Sequence, residues 1–109
     1  MSTLEPYLYP EVAAQIAKDF AVCGIELTFP QHPTKEPREE LFDVLYPMVR
    51  LILKEQPSLM LKIIYRVDIS ERQFGAQMGE KLGDIAYTTL TQMIINRETQ
   101  KVVLRKGLS

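Results

Sequence analysis

A chain of 109 residues with an apolar fraction of 46% and a charged fraction of 25% has the size and make-up of one ordinary domain with its own core, which argues against disorder. Thirteen Lys and Arg against fourteen Asp and Glu leave a formal net charge of -1, so no strong field gathers phosphate backbones or anionic lipid, and nucleic acid is not an expected partner. Cys23 is alone and excludes an intrachain disulfide; MSTLEPYLYPEV lacks a basic start with an apolar stretch, and no run approaches eighteen apolar residues, so the expectation is a cytoplasmic protein without a membrane partner.

After a proline-rich start, PEVAAQIAKDFAVCG places Val12, Ala13, Ile16, Ala17 and Phe20 at helical spacing, with Pro10 suited to the first turn and Gly24 to the end. In the next stretch, residues 25–29, Ile25, Leu27 and Phe29 alternate with Glu26 and Thr28. The pattern is strand-like, but no mate is evident, and an extended connector satisfies it equally. Three prolines within PQHPTKEP make a loop.

PREELFDVLYPMVRLILKEQ carries Leu41, Leu45, Met48, Val49 and Ile52 on one helical face, with Glu39 and Glu40 in the first turn, where the helix dipole favours negative charge. Pro47 inside it removes a hydrogen bond to Asp43 and predicts a kink, or a break near Tyr46. Pro57 restarts the chain as a third helix, PSLMLKIIYRVD, apolar on nearly every side except a Lys62 and Arg66 stripe, which predicts a position in the middle of a bundle.

Ser70 with Gln73 three residues on has the form of a capping box, opening a short fourth helix that ends near Gly79. Asp84 is placed to cap a fifth helix, predicted from Ile85 to Lys106, with Ala86, Leu90, Met93, Ile94 and Leu104 on its apolar face and Lys101, Arg105 and Lys106 near its carboxyl end. A rival reading folds residues 92–106 into a hairpin, but RETQ lacks the Gly, Asn-Gly or Pro of usual turns. The fold class is therefore mainly α: a single-domain bundle of four to five helices over residues 1–109, with a short extended segment at 25–29.

Few chemistries fit these residues. In the 70–95 region, Gly75 and Gly79 match the first helix and turn of a helix-turn-helix, but Glu80 occupies an apolar place, Gly83 would interrupt the reading helix, and Lys81 is the only cation between Arg72 and Arg97. Cys23 and His32 are the only candidates for a thiol pair; one ends an apolar helix and the other lies in a loop, and their separation matches no zinc-ligand spacing. Glu36, Glu39, Glu40 and Asp43 share helical spacing, but a bundle metal site needs acids from several helices and a Glu-x-x-His pair, so a solvated helix start is the ordinary reading. The five glycines form no phosphate-binding loop. No catalytic, cofactor or metal residue is assigned.

LKIIYRVDISE and MIINRETQK resemble recurring segments of small, uncharacterised helical bacterial proteins. The resemblance covers the carboxyl-terminal half, implies helix there and brings no activity. In the same stretches Arg66, Asp68, Arg97 and Glu98 place charge beside apolar faces, where pairing between the third and fifth helices is expected. A fifth helix of about 33 Å outruns short neighbours, so its outer half, with Ile95, Val102 and Val103 off the main stripe, is expected to present apolar surface to a protein partner or a second copy in a homodimer. The functional expectation is a protein-interaction or regulatory module, with an enzyme of unrecognised type and a DNA-binding regulator as rivals.

Overall fold

Prolines at the first or second helical position open three of the five helices found among the described residues, where the missing N–H is one the helix could not have used. The computed structural model describes residues 4–107. A single 3-10 turn over Pro6–Leu8 leads into α1, Tyr9–Val22; α2 spans Pro37–Glu55, α3 Pro57–Val67, α4 Glu71–Met78 and α5 Gly83–Arg105. The molecule is one mainly α bundle, and no strand occurs among the described residues.

The helical faces of α1 and α2 pack inward through Val12, Ala13, Ile16 and Phe20, and through Leu41, Leu45, Val49 and Ile52, while Ala17 and Met48 are half-buried. Gly24 closes α1 with φ 85°, and the Ile25 N–H reaches back to the Phe20 carbonyl at 2.9 Å, the reach that a left-handed residue past the helix end allows. Residues 25–29 keep their two-fold alternation as a connector: Ile25, Leu27 and Phe29 pack against the core and Glu26 and Thr28 face out. The buried Tyr9 anchors the loop that follows by donating its hydroxyl to the Pro30 carbonyl at 2.7 Å.

α2 runs unbroken through Pro47, so of the expected kink or break near Tyr46 the break does not occur. Pro47 and Asp43 are both exposed, so the carbonyl deprived of its N–H lies on the side open to water. Asp68, with φ 73°, takes the left-handed position after α3, and the Ile69 N–H bonds to the Ile64 carbonyl at 3.1 Å. Ser70 Oγ accepts the Gln73 N–H at 3.1 Å and caps α4. The expected Asp84 cap does not form. α5 begins two residues earlier, at Gly83, after Leu82, and Asp84 in its first turn accepts the Tyr46 hydroxyl at 3.1 Å.

The largest correction concerns which helix is central. Leu61 and Tyr65 leave one face of α3 exposed, so α3 is peripheral, and α5 occupies the middle with α1, α2, α3 and α4 all packed on it. Its 23 residues span about 34 Å at 1.5 Å per residue. Ile95, Glu98 and Val102 in its carboxyl-terminal half are fully buried, so that half does not project. The hairpin reading of 92–106 falls with it, since those residues lie within one continuous helix up to its end at Arg105.

Candidate functional site

Ile95 and Val102, expected on a partner-facing surface, are fully buried, and Val103 is half-buried against the core. The surface failed to appear because α1 lies along the carboxyl-terminal half of α5: Arg105 donates to Gln15 Oε1 at 2.7 Å, and Lys106 pairs with Glu11. Leu104, placed on the inner stripe by spacing, is exposed instead.

Of the four residues expected to join the third and fifth helices, Arg97 and Asp68 do so. Arg97 Nε donates to the Asp68 carbonyl at 3.0 Å and its Nη2 to Asp68 Oδ2 at 2.7 Å, so one guanidinium grips both ends of the left-handed residue. Arg66 turns to α1, with Nε 3.1 Å from Asp19 Oδ1. Glu98 meets Lys101 one turn along its own helix, Nζ lying 2.7 Å from Oε1.

Asp19 is the residue that the sequence did not single out, and it organises a polar knot where α1, α3 and α5 meet. It accepts from Gln15 Nε2 at 3.2 Å, from Arg66 and from Lys101 Nζ at 2.8 Å, and Lys101 also donates to the Val67 carbonyl at 3.3 Å. Burial acts to raise the Asp19 carboxyl, but the neighbouring Glu98 and the hydrogen bonds from Lys101 and Gln15 outweigh it and hold the group below its ordinary range. Glu98 goes the other way: burial first, then the neighbouring Asp19 carboxyl, push it up to about 8. Its helical spacing between Ile94 and Val102 was the signal that an acid stands on the buried stripe.

The acids at the start of α2 have structural employment. Glu36 accepts the Glu39 N–H at 3.0 Å as the helix cap and the Leu4 N–H at 3.3 Å. Glu40, expected to be solvated, is buried and accepts from the Thr34 N–H at 2.9 Å and the Thr34 hydroxyl at 3.2 Å, while Asp43 pairs with Lys35. Cys23 is half-buried and His32 exposed. Among the described residues no group of three His, Cys, Asp or Glu side chains is placed to hold a metal ion. None of the described helices is long and apolar enough to cross a membrane.

One recess combines open surface with chemical character. A cleft of about 330 Å³ runs between α4 and α5, lined by Gln73 and Gln77 on one side and Asn96, Arg97 and Gln100 on the other, with the buried Ile69 and Met93 beside them. Each pair, Gln73 with Gln77 and Asn96 with Gln100, is four residues apart and so shares a helix face. The Gln73 and Gln77 carboxamides make no hydrogen bond with the described residues. Asn96 Oδ1 accepts from Arg38, and Gln100 Oε1 accepts from Arg97 Nη1 at 2.7 Å, which leaves both amide NH₂ groups as donors. Arg97 is the one charged group on the lining, and Asp68 neutralises it. The cleft is thus uncharged and supplies both donors and acceptors.

No family model, no curated protein and no solved structure matches this chain.

Proposed function

We propose that this protein is a small interaction module that takes an extended segment of another protein into the cleft between α4 and α5. The observation that carries this reading is the carboxamide lining. Carboxamides donate and accept at once, as peptide groups do, so two pairs facing each other across a cleft suit the N–H and C=O groups of a backbone. Ile69 and Met93 add apolar contact for a side chain. The volume lies at the lower edge of the roughly 300–1,000 Å³ typical of small-ligand pockets, which fits a short stretch of chain better than a large cofactor. With Arg97 neutralised, the lining offers no free cation to a phosphate, and a peptide is favoured over nucleic acid. The lone cysteine favours a cytoplasmic setting for this encounter.

The test is selection of random peptides displayed on phage, followed by titration of the enriched sequences against the wild type and a Gln73→Ala, Gln77→Ala double variant. Both residues are exposed, so the variant keeps the fold. Loss of two hydrogen bonds of about 1 kcal/mol each weakens binding by about tenfold or more. Failure to enrich any peptide, or equal affinity for the double variant, overturns the reading.

A further inference from the structure

Glu98 is wholly buried, and no donor completes a hydrogen bond of proper geometry with either of its oxygens, although Lys101 Nζ stands 2.7 Å from Oε1. The same ammonium touches Asp19 Oδ2 at 2.8 Å, which brings the two carboxyls together in a place that water does not reach. Asp19 already accepts from Gln15, Arg66 and Lys101, which leaves one lone pair on Oδ1. An ionised Glu98 would set a second buried negative charge beside the first and share one ammonium with it. A protonated Glu98 has a hydroxyl to donate to Asp19, and both problems disappear.

We propose that the Asp19–Glu98 pair is a proton-operated latch: one proton held between the two carboxyls fastens α1 to the carboxyl-terminal half of α5, and the fastening tightens as the surroundings acidify. The groups that face the pair are Asp19 from α1, Arg66 and the Val67 carbonyl from α3, and Lys101 from α5 itself. No side chain of α2 or α4 makes an ion pair or hydrogen bond with them among the described residues. Arg66 is the most open of these, and the two acids are the least, so solvent enters from the α3 side when the latch opens.

The physical basis is proton uptake on closing. A Glu98 released to water ionises in the ordinary glutamate range, whereas in the closed knot it holds its proton up to about 8. Between those limits the opening equilibrium rises by about tenfold per pH unit and levels off above the upper one. Glu98→Gln keeps a donor to Asp19 and cannot ionise, so its opening is independent of pH over the same range.

The direct test is the side-chain carboxyl carbon of Glu98 in the intact protein, followed by nuclear magnetic resonance from pH 4 to 10. A signal in the carboxylic-acid position at pH 7 that titrates near pH 8 supports the shared proton; a carboxylate by pH 6 overturns it. The second arm is amide exchange in α1 and in residues 94–105, corrected for intrinsic rates, at pH 5, 6, 7 and 8. Protection falling by about tenfold per unit in the wild type and constant in Glu98→Gln supports the latch. Equal slopes in the two proteins overturn it. Should Glu98→Gln fail to fold, the carboxyl titration of the wild type alone still decides whether the proton is held.

Discussion

Val102 and Val103 are chemically identical neighbours on α5 with different surroundings, and substituting each in turn measures where the core ends. Val102 is fully buried. Val103 is only half-buried. Truncating Val102 to Ala removes two carbons at about 0.8 kcal/mol each and leaves a void that its surroundings only partly fill, for a loss of about 2–3 kcal/mol. The same truncation at Val103 costs about 1 kcal/mol or less, because part of the side chain is already in water. Glutamate at 102 buries an unpaired carboxyl in apolar surroundings. That penalty of several kcal/mol approaches the whole stability of an ordinary domain, about 5–15 kcal/mol. Val102→Glu is therefore expected largely unfolded and Val103→Glu folded. Urea melts followed by far-ultraviolet circular dichroism give the losses, and sedimentation velocity gives the state of association. A dimeric wild type whose Val102→Glu variant is a folded monomer would refute the burial of this half of α5 and restore it as an interface.

Three further outcomes follow from described contacts. The wild type loses stability as pH rises from the ordinary glutamate range to about 8, because Glu98 binds its proton in the folded state alone, with a slope of up to about 1.4 kcal/mol per unit; Asp19, held low, works in the opposite sense and withdraws stability as pH falls below its unfolded value, so urea midpoints peak in mild acid and Glu98→Gln flattens the upper limb. Pro47→Ala restores the N–H to the Asp43 carbonyl on an exposed face and raises stability by about 1–3 kcal/mol; a variant no more stable than the wild type would show that α2 is bent to need the proline. Tyr9→Phe strips a hydrogen bond from the Pro30 carbonyl and lowers stability by about 1–2 kcal/mol; an unchanged melting curve would mean that water replaces the hydroxyl there.

Periodicity read α1 and α2 well because most of their buried positions are apolar, Asp19 and Glu40 being the exceptions, and an apolar stripe is all that a 3.6-residue pattern can register. It failed at α5 for a definite reason. Thr91 is buried with its hydroxyl bonded to the Tyr87 carbonyl of its own helix at 2.7 Å, and Glu98 is buried beside it on the stripe, so two polar letters stand for interior positions. Leu61, Tyr65 and Leu104 err in the other direction as apolar letters on the outside. Those five residues exchange the apparent roles of α3 and α5. The cleft was half legible: Gln73 with Gln77 and Asn96 with Gln100 are visible as four-residue spacings, but nothing local to either helix says that they face each other. Asp19 was hidden in the same way, since its partners Arg66 and Lys101 are 47 and 82 residues distant.

The pillar of the bundle is made after the four helices that pack on it. While the chain emerges from a ribosome, α1, α2, α3 and α4 are all synthesised before the surface that buries their apolar sides exists. Contacts such as Arg105 with Gln15 and Lys106 with Glu11 close over 90 and 95 residues. The early helices must therefore wait, with Phe20, Leu45 and Ile63 uncovered, and are open during that interval to chaperones and to mispairing with neighbouring chains. Folding of the bundle is governed by the arrival of residues 83–105, and a stop or frameshift before that point yields fragments without the helix on which α1, α2, α3 and α4 pack.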